Sequence, residues 1–300
     1  MMQWGQIKTI LILSFLILDI YLFAQFLEKK EQADLAVLEQ EPSTIEEQLS
    51  AESITFEQLP EKTEEETYIS VQQKLFTEEE LSNYDVQVQQ ETYLIDQYFI
   101  ASLLEEPMAI PKDATVEEIT QLFNDIVYFP DEYEYWNWNE DLNIIIFFQK
   151  KLDRPVYYNQ NGLVLLFLND ENEITFYLQT MLGETETLAE KGKLIEPIRA
   201  IETLYMANEL HPGDIVTNVN IGFYTRVPFE GDVQVFAPIW KVNVNKEKDF
   251  FVNAIEGFTF SANEQDFLLE FIDTAIHKLQ VQRNNTTSIE YMLDELKQLR

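Results

Sequence analysis

Residue types that could do chemistry are few in this chain, and their spacing is uninformative. There is no cysteine, which excludes a disulfide framework and a thiolate metal site. The two histidines, His211 and His277, have no second histidine or metal-ligand spacing beside them. His211 stands in a turn before Pro212 and His277 on a polar helix face, so both read as solvated or capping side chains. There is no G-x-S-x-G and no Gly-rich phosphate loop. Carboxylates are so abundant that any one pair carries no information as general acid and base. One cluster stands apart. Asp131, Glu132, Glu134, Glu140 and Asp141 surround Tyr133, Tyr135, Trp136 and Trp138. Acid beside aromatic is the look of a sugar site, but a strand edge with half-buried aromatics is the favoured reading. Asn169-Asp170-Glu171-Asn172-Glu173 offers oxygen ligands but lacks the glycine and closing Glu of a calcium loop, and reads as a turn. No catalytic, cofactor-binding or metal-binding residue is assigned.

Asp19 is different. It lies within Thr9–Leu27, TILILSFLILDIYLFAQFL, where 13 of 19 residues are Leu, Ile or Phe. That length lets a helix cross about 30 Å of hydrocarbon. Crediting each apolar residue with roughly 0.5 kcal/mol gives roughly 6 kcal/mol in favour of insertion, against roughly 3 kcal/mol for Asp19. The stretch lacks a small-x-small cleavage site close behind it, so an uncleaved anchor is expected. Lys8 precedes it and Lys29 and Lys30 follow, so charge alone leaves its orientation nearly undecided. A short amino end before a long carboxyl domain reads as amino end inside, domain outside. An ionisable group at mid-membrane defaults to a functional role, here a helix-helix contact. Asp19, Ser14 and Gln25 are the candidate partner-binding residues, although no small-xxx-small motif accompanies them.

The elements that follow must form a sizeable core. Apolar residues make up 46% of the chain and aromatics 13%, which argues against disorder of the whole chain. Twenty basic and 54 acidic residues give a formal net charge of -34. That balance argues against nucleic acid as a partner, because Lys and Arg supply most of the affinity for phosphates, and against an anionic membrane surface. Residues 28–50 favour a helical stalk, broken at Pro42, with Ser43-Thr44-Ile45-Glu46 as a capping box. Residues 51–125 read as a first α+β segment. It has strands at Ile54–Phe56 and Tyr68–Leu75, a short helix capped at Thr77, a hairpin of Val86–Val88 with Thr92–Ile95, and a helix capped at Thr115. That last helix has the stripe Val116, Ile119, Leu122 and Phe123.

Residues 126–262 read as a second α+β segment. It opens as an antiparallel meander with strands at Ile144–Phe148, Leu163–Leu168 and Ile174–Leu178. Asn161-Gly162 is its strongest turn signal, since both residues accept positive φ. A helix-plus-sheet unit over 194–260 follows. Its helix carries Leu194, Ile195, Ile198, Ile201, Leu204 and Tyr205, and its strands fall at Val216–Tyr224, Val233–Phe236, Ile239–Val244 and Phe250–Ile255. Residues 263–300 form two helices, capped at Ser261–Glu264 and Thr287–Glu290, expected to pack on the domain's own sheet. The expected order is thus cytoplasmic 1–8, transmembrane 9–27, stalk 28–50, segments 51–125 and 126–262, and C-terminal helices 263–300, in the α+β class.

Several stretches are similar to the YycI family, also called WalI. They are the opening through Lys30, Ile54-Thr55-Phe56-Glu57-Gln58-Leu59-Pro60, Tyr133–Trp136, Arg154-Pro155-Val156-Tyr157-Tyr158-Asn159, Ala200–Tyr205, Ala237-Pro238-Ile239-Trp240 and Phe251–Gly257. The resemblance covers roughly residues 2–260 and implies a single-pass cell-membrane protein with an extracytoplasmic α+β domain. It implies a regulator of the sensor histidine kinase WalK (YycG), which controls cell-wall metabolism, acting with a YycH-like partner through membrane helices and outer domains. The family carries no known catalytic residues, so none transfers and no enzyme is expected. Homo- or heterodimerisation fits this reading. The helix and sheet over 194–260 also look like a PepSY-type module, which would suit a membrane-anchored chaperone or protease inhibitor. The rival from another class is a cell-wall glycan-binding or glycan-cleaving surface protein built on Tyr133–Trp138.

Overall fold

The structure is a computed structural model. It describes residues 8, 13, 15–16, 18–23, 25, 44–57, 59–60, 65–84, 86–225, 233–260, 262–281 and 287–300. The chain resolves into two units, Met1–Thr55 and Phe56–Arg300.

In the first unit the described residues between 13 and 25 are helical. Leu13, Phe15, Leu16, Leu18, Ile20, Tyr21, Leu22 and Phe23 are all exposed, from 47% to 62%. Among the described residues no helix is long and apolar enough to cross a membrane; much of Thr9–Leu27, Ser14 included, and the stalk positions 28–43 lie outside them. Helix α1 (Ile45–Ala51) begins with a reciprocal capping box. The Glu47 N–H donates to Thr44 Oγ1 (3.3 Å) and the Thr44 N–H to Glu47 Oε2 (3.1 Å). The cap is therefore Thr44, one residue later than Ser43, because the glutamate that closes the box must stand three residues after the cap.

The second unit follows in the order β1 (Thr55–Phe56, which starts at the boundary), β2 (Glu65–Glu66), β3 (Ile69–Gln73), α2 (Glu78–Ser82), β4 (Gln90–Ile95), β5 (Phe99–Ala109), α3 (Val116–Ile126), β6 (Tyr133–Asn139), β7 (Ile144–Lys151), β8 (Arg154–Pro155), β9 (Leu163–Leu168), β10 (Glu173–Thr180), β11 (Leu182–Thr187), β12 (Gly192–Lys193), α4 (Pro197–Met206), β13 (Ile215–Tyr224), β14 (Val233–Val244), β15 (Lys248–Asn253), β16 (Thr259–Phe260), α5 (Glu264–Val281) and α6 (Thr287–Gln298). This is a mixed α+β fold with antiparallel sheets.

The first sheet runs β4-β5-β10-β9-β7-β6, every neighbouring pair antiparallel. Its middle strands are continuous apolar runs, IIIFF in β7 and LVLLFL in β9, because both faces are covered. On one face Phe148, Leu165, Phe167 and Leu178 pack with Phe271 and Ile272 of α5 and Met292 and Leu293 of α6. On the other, Ile145, Phe147 and Leu166 pack with Ile119 and Phe123 of α3, and the Phe123 and Phe147 rings stack 3.7 Å apart. In α3 the buried stripe is Ile119, Phe123 and Ile126, while Val116 at its first turn is exposed. Helix α5 is capped by Asn263, whose Oδ1 accepts from the N–H of Gln265 (3.0 Å) and Asp266 (3.2 Å).

The second sheet runs β13-β14-β15-β16, with β3 beside β14 and β11 beside β3. Helix α4 lies on it, and the Trp240 indole donates to the Ile195 carbonyl just before that helix (2.9 Å). Three expectations give way here. Val86–Val88 is not a strand; β4 pairs with the long β5 instead. Val233–Phe236 and Ile239–Val244 are one strand, β14, which carries Pro238. Neither Asn161 nor Gly162 takes positive φ. That turn is held by Asn159, whose Oδ1 accepts from the Asn161 N–H (2.9 Å). Gly162 serves close packing, since a Cβ there would lie 2.9 Å from Leu182 Cδ1.

Candidate functional site

The two sheets meet at a cluster of rings that the sequence scatters. Strand β6 supplies Trp136, the segment after β8 supplies Tyr157 and Tyr158, β15 supplies Phe251, and α5 supplies Phe267. The ring centroid of Trp136 lies 5.1 Å from that of Tyr157 and 5.8 Å from that of Tyr158. Tyr158 in turn lies 5.7 Å from Phe251 and 5.3 Å from Phe267, both edge-on. These geometries are the favoured ones for aromatic pairs. The segments Tyr133–Trp136, Arg154–Asn159 and Phe251–Gly257, far apart along the chain, thus touch in the fold.

Polar groups tie the cluster together. Glu264, the first residue of α5, accepts from Trp136 Nε1 (2.9 Å), Asn137 Nδ2 (3.1 Å) and Asn139 Nδ2 (3.0 Å). Lys241 of β14 places Nζ 4.4 Å from the Trp136 ring centroid and 3.8 Å from Asp249 Oδ1. Burial pushes the Lys241 ammonium below the usual lysine range, and the Asp249 and Glu134 carboxylates pull partly the other way. Burial pushes the phenols of Tyr157 and Tyr158 well above the usual tyrosine range. It also raises the Glu134 carboxyl, opposed by Lys150 and Lys241.

Two clefts flank the cluster and share Tyr158. One, of about 650 Å3, is lined by Trp136, Lys241, Asp249 and Glu264. The other, of about 640 Å3, is lined by Tyr158, Asn161, Gln234, Asp266 and Glu270. In the first the polar groups are largely spent on one another; the second keeps free amide and carboxylate capacity.

The acid-and-aromatic cluster read from the sequence is divided. Trp136 packs with Phe148 on the α5 face of the first sheet. Tyr133, Tyr135 and Trp138 pack on the α3 face. Two residues apart they would share a face, but the β6–β7 register shifts between Tyr135 and Asn137, and a bulge of this kind re-aims side chains. A glycan platform made of Trp136 and Trp138 together is therefore not formed. Asn169–Glu173 folds as a turn, with Asn169 Oδ1 accepting from the N–H of Glu171 (3.1 Å) and Glu173 (2.9 Å). His211 and His277 are exposed on separate elements. His211 donates its backbone N–H to Asp214 Oδ2 (2.8 Å), which holds the Asp214 carboxyl below its usual range.

Of the candidate membrane-contact residues, Asp19 is exposed on its helix. Gln25 donates Nε2 to Tyr21 Oη one turn back (3.1 Å), and Ser14 lies outside the described residues. Sequence reading places Lys241 and Gln234 in strands, Glu264 in a helix cap and Tyr158 in a family-like segment, but no local pattern marks any of the four as a site residue.

No curated protein matches the chain. Among solved structures, an uncharacterized protein from Eubacterium rectale ATCC 33656 is similar at a TM-score of 0.40 and 9% identity, covering 70% of this chain and 91% of that one. The family described as "YycI protein" matches residues 32–255, most of the chain and nearly all of the second unit up to β15. The chain belongs to the YycI family.

Proposed function

We propose that the chain is a membrane-anchored regulator of the WalK/YycG sensor histidine kinase, held by Thr9–Leu27 with its amino end inside and residues 28–300 outside. The observation that carries this reading is the YycI match over residues 32–255, because membership of that family suggests a regulator of the WalK/YycG two-component system and not an enzyme. The anchor is supported by the eight large apolar side chains between Leu13 and Phe23 that the helix leaves exposed. A helix apolar all round is stable only when something apolar covers it, and a bilayer would do so.

The mechanism rests on unequal affinity. A regulator shifts a kinase between two states only by binding one of them better. The membrane helix packs against kinase helices through Asp19, with Ser14 and Gln25 beside it, and the outer domain pairs with a YycH-like partner. The test is co-purification from membranes of the full chain against a chain whose residues 1–30 are replaced by an unrelated single-pass anchor. Recovery of kinase and YycH-like partner only with the native helix is expected. Equal recovery with both would move recognition to the outer domain, and recovery with neither would overturn the regulatory reading.

A further inference from the structure

The cleft on the second side of Tyr158 has the makings of a ligand site. At about 640 Å3 it falls within the roughly 300–1,000 Å3 of small-ligand sites. Its aromatic walls are Tyr158, Tyr224 and Phe267. Its amides are fixed from behind. Buried Asn159 donates Nδ2 to Gln234 Oε1 (2.9 Å), and Gln73 Nε2 donates to Asn161 Oδ1 (3.1 Å). Both bonds use the acceptor end of the lining amide, which leaves the NH2 ends of Gln234 and Asn161 as donors. Acceptors come from Asp266 and Glu270, exposed one turn apart on α5. None of the described lining residues is basic.

Fixed amide donors, carboxylate acceptors and tyrosine rings suit one chemistry. A hydroxyl both donates and accepts, so it meets amide N–H and carboxylate in turn, while the C–H face of a sugar ring lies on aromatic carbon. Among the described lining residues an anionic ligand finds no counter-charge, and the chain's net charge of -34 opposes it further. Tyr158 itself adopts φ +50°. For a bulky residue that backbone costs about 1–3 kcal/mol and tends to persist at functional sites. Here it sets the ring at the wall common to both clefts.

We propose that this cleft, walled by Tyr158 and Tyr224 and edged by Gln234, Asn161, Asp266 and Glu270, binds a neutral, hydroxyl-rich oligosaccharide. The site lies wholly in the second unit and does not depend on the kinase reading or on the membrane segment. It moves the glycan chemistry suggested by Tyr133–Trp138 to a different set of residues.

The test uses the full chain in phosphatidylcholine nanodiscs, titrated calorimetrically with chitotriose, cellotriose and maltotriose, and with sialyllactose and trilysine as charged probes. Saturable binding of at least one neutral trisaccharide is expected. Loss of one hydrogen bond to a charged or fixed group should raise Kd by about tenfold in both Gln234→Ala and Asp266→Ala. Asp294→Ala, outside the cleft on α6, should leave Kd as it was. Asp266 is exposed, so that variant keeps the fold, and an unchanged melting temperature checks it. Binding of no neutral trisaccharide, binding that neither variant weakens, or binding only of sialyllactose or trilysine would overturn the proposal.

Discussion

Lys241 lies over the ring of Trp136, Nζ to centroid 4.4 Å, and the contact joins the second sheet to the edge strand of the first. The same indole donates its N–H to Glu264 (2.9 Å). One side chain therefore binds β14 through its face and the start of α5 through its edge. A desolvated cation over a Trp face contributes up to about 2 kcal/mol, and a hydrogen bond to a charged acceptor about 1.5–3 kcal/mol.

Trp136→Ala should destabilise the chain by about 3–5 kcal/mol, the range for truncating a large packed aromatic. Trp136→Phe keeps a ring under Lys241 but loses the bond to Glu264, and should cost about 1.5–3 kcal/mol. Urea denaturation followed by circular dichroism measures both. If the two variants matched wild type, Trp136 would be a surface residue without a joining role.

Glycines separate in the same way. A Cβ at Gly222 would lie 2.4 Å from Tyr157 Cε2 and 2.8 Å from the Pro155 carbonyl, whereas one at Gly192 meets nothing within 4 Å. Gly222 lies where the sheets touch, since the Tyr157 N–H donates to the Phe223 carbonyl (2.9 Å) and Val156 bridges to Phe223. Gly222→Ala should therefore cost about 1–3 kcal/mol through overpacking. Gly192→Ala should be neutral or slightly stabilising, because alanine restricts the unfolded chain. Equal melting temperatures for the two variants would refute the close approach.

Alkaline pH should unfold the domain through its tyrosines. Tyr133, Tyr157 and Tyr177 are buried and Tyr158 is half-buried, and desolvation raises all four phenols above the ordinary value. Their folded pKa is raised, so their contribution is fully present below the unfolded value of about 10. It is lost as pH rises beyond it, because the unfolded chain releases protons that the folded chain keeps. Phenolate absorbance from these four should appear together with the loss of circular dichroism. Tyr157→Phe with Tyr158→Phe should move that transition to higher pH. Phenolate formation in a still-folded chain would contradict it.

Much of the fold is legible in the residues, and the exceptions have physical causes. Thr115 caps its helix as its capping box suggests, whereas the helix expected to open with the Ser261–Glu264 box is capped by Asn263, and the apolar runs of β7 and β9 mark strands covered on both faces. Strand β5 is hidden because Glu105, Glu106 and Pro107 interrupt its second half. Pro238 reads as a break but sits at the end of the β14–β15 register, which starts at Ile239, where its carbonyl still accepts from the Ala254 N–H (2.9 Å). The site is less legible. Trp136 and Glu264 stand 128 positions apart, and only strand pairing across the unit brings them together. The bulge between Tyr135 and Asn137 also separates side chains that simple alternation groups.

Asp19 distinguishes an anchor from a regulatory helix. A carboxyl at mid-bilayer costs about 2.5–3.5 kcal/mol on insertion scales, so Asp19→Leu should insert more readily than wild type. If Asp19 meets a kinase helix, the same change should weaken kinase co-purification and shift expression of kinase-dependent genes. Transmembrane hydrogen bonds average about 0.6 kcal/mol and reach about 1.7, which bounds the loss at roughly 3- to 20-fold in affinity. Asp19→Asn, which keeps a hydrogen-bonding group, should retain most of the contact. Should both variants recover the kinase as wild type does, Thr9–Leu27 would serve as anchor alone, and regulation would rest with the outer domain.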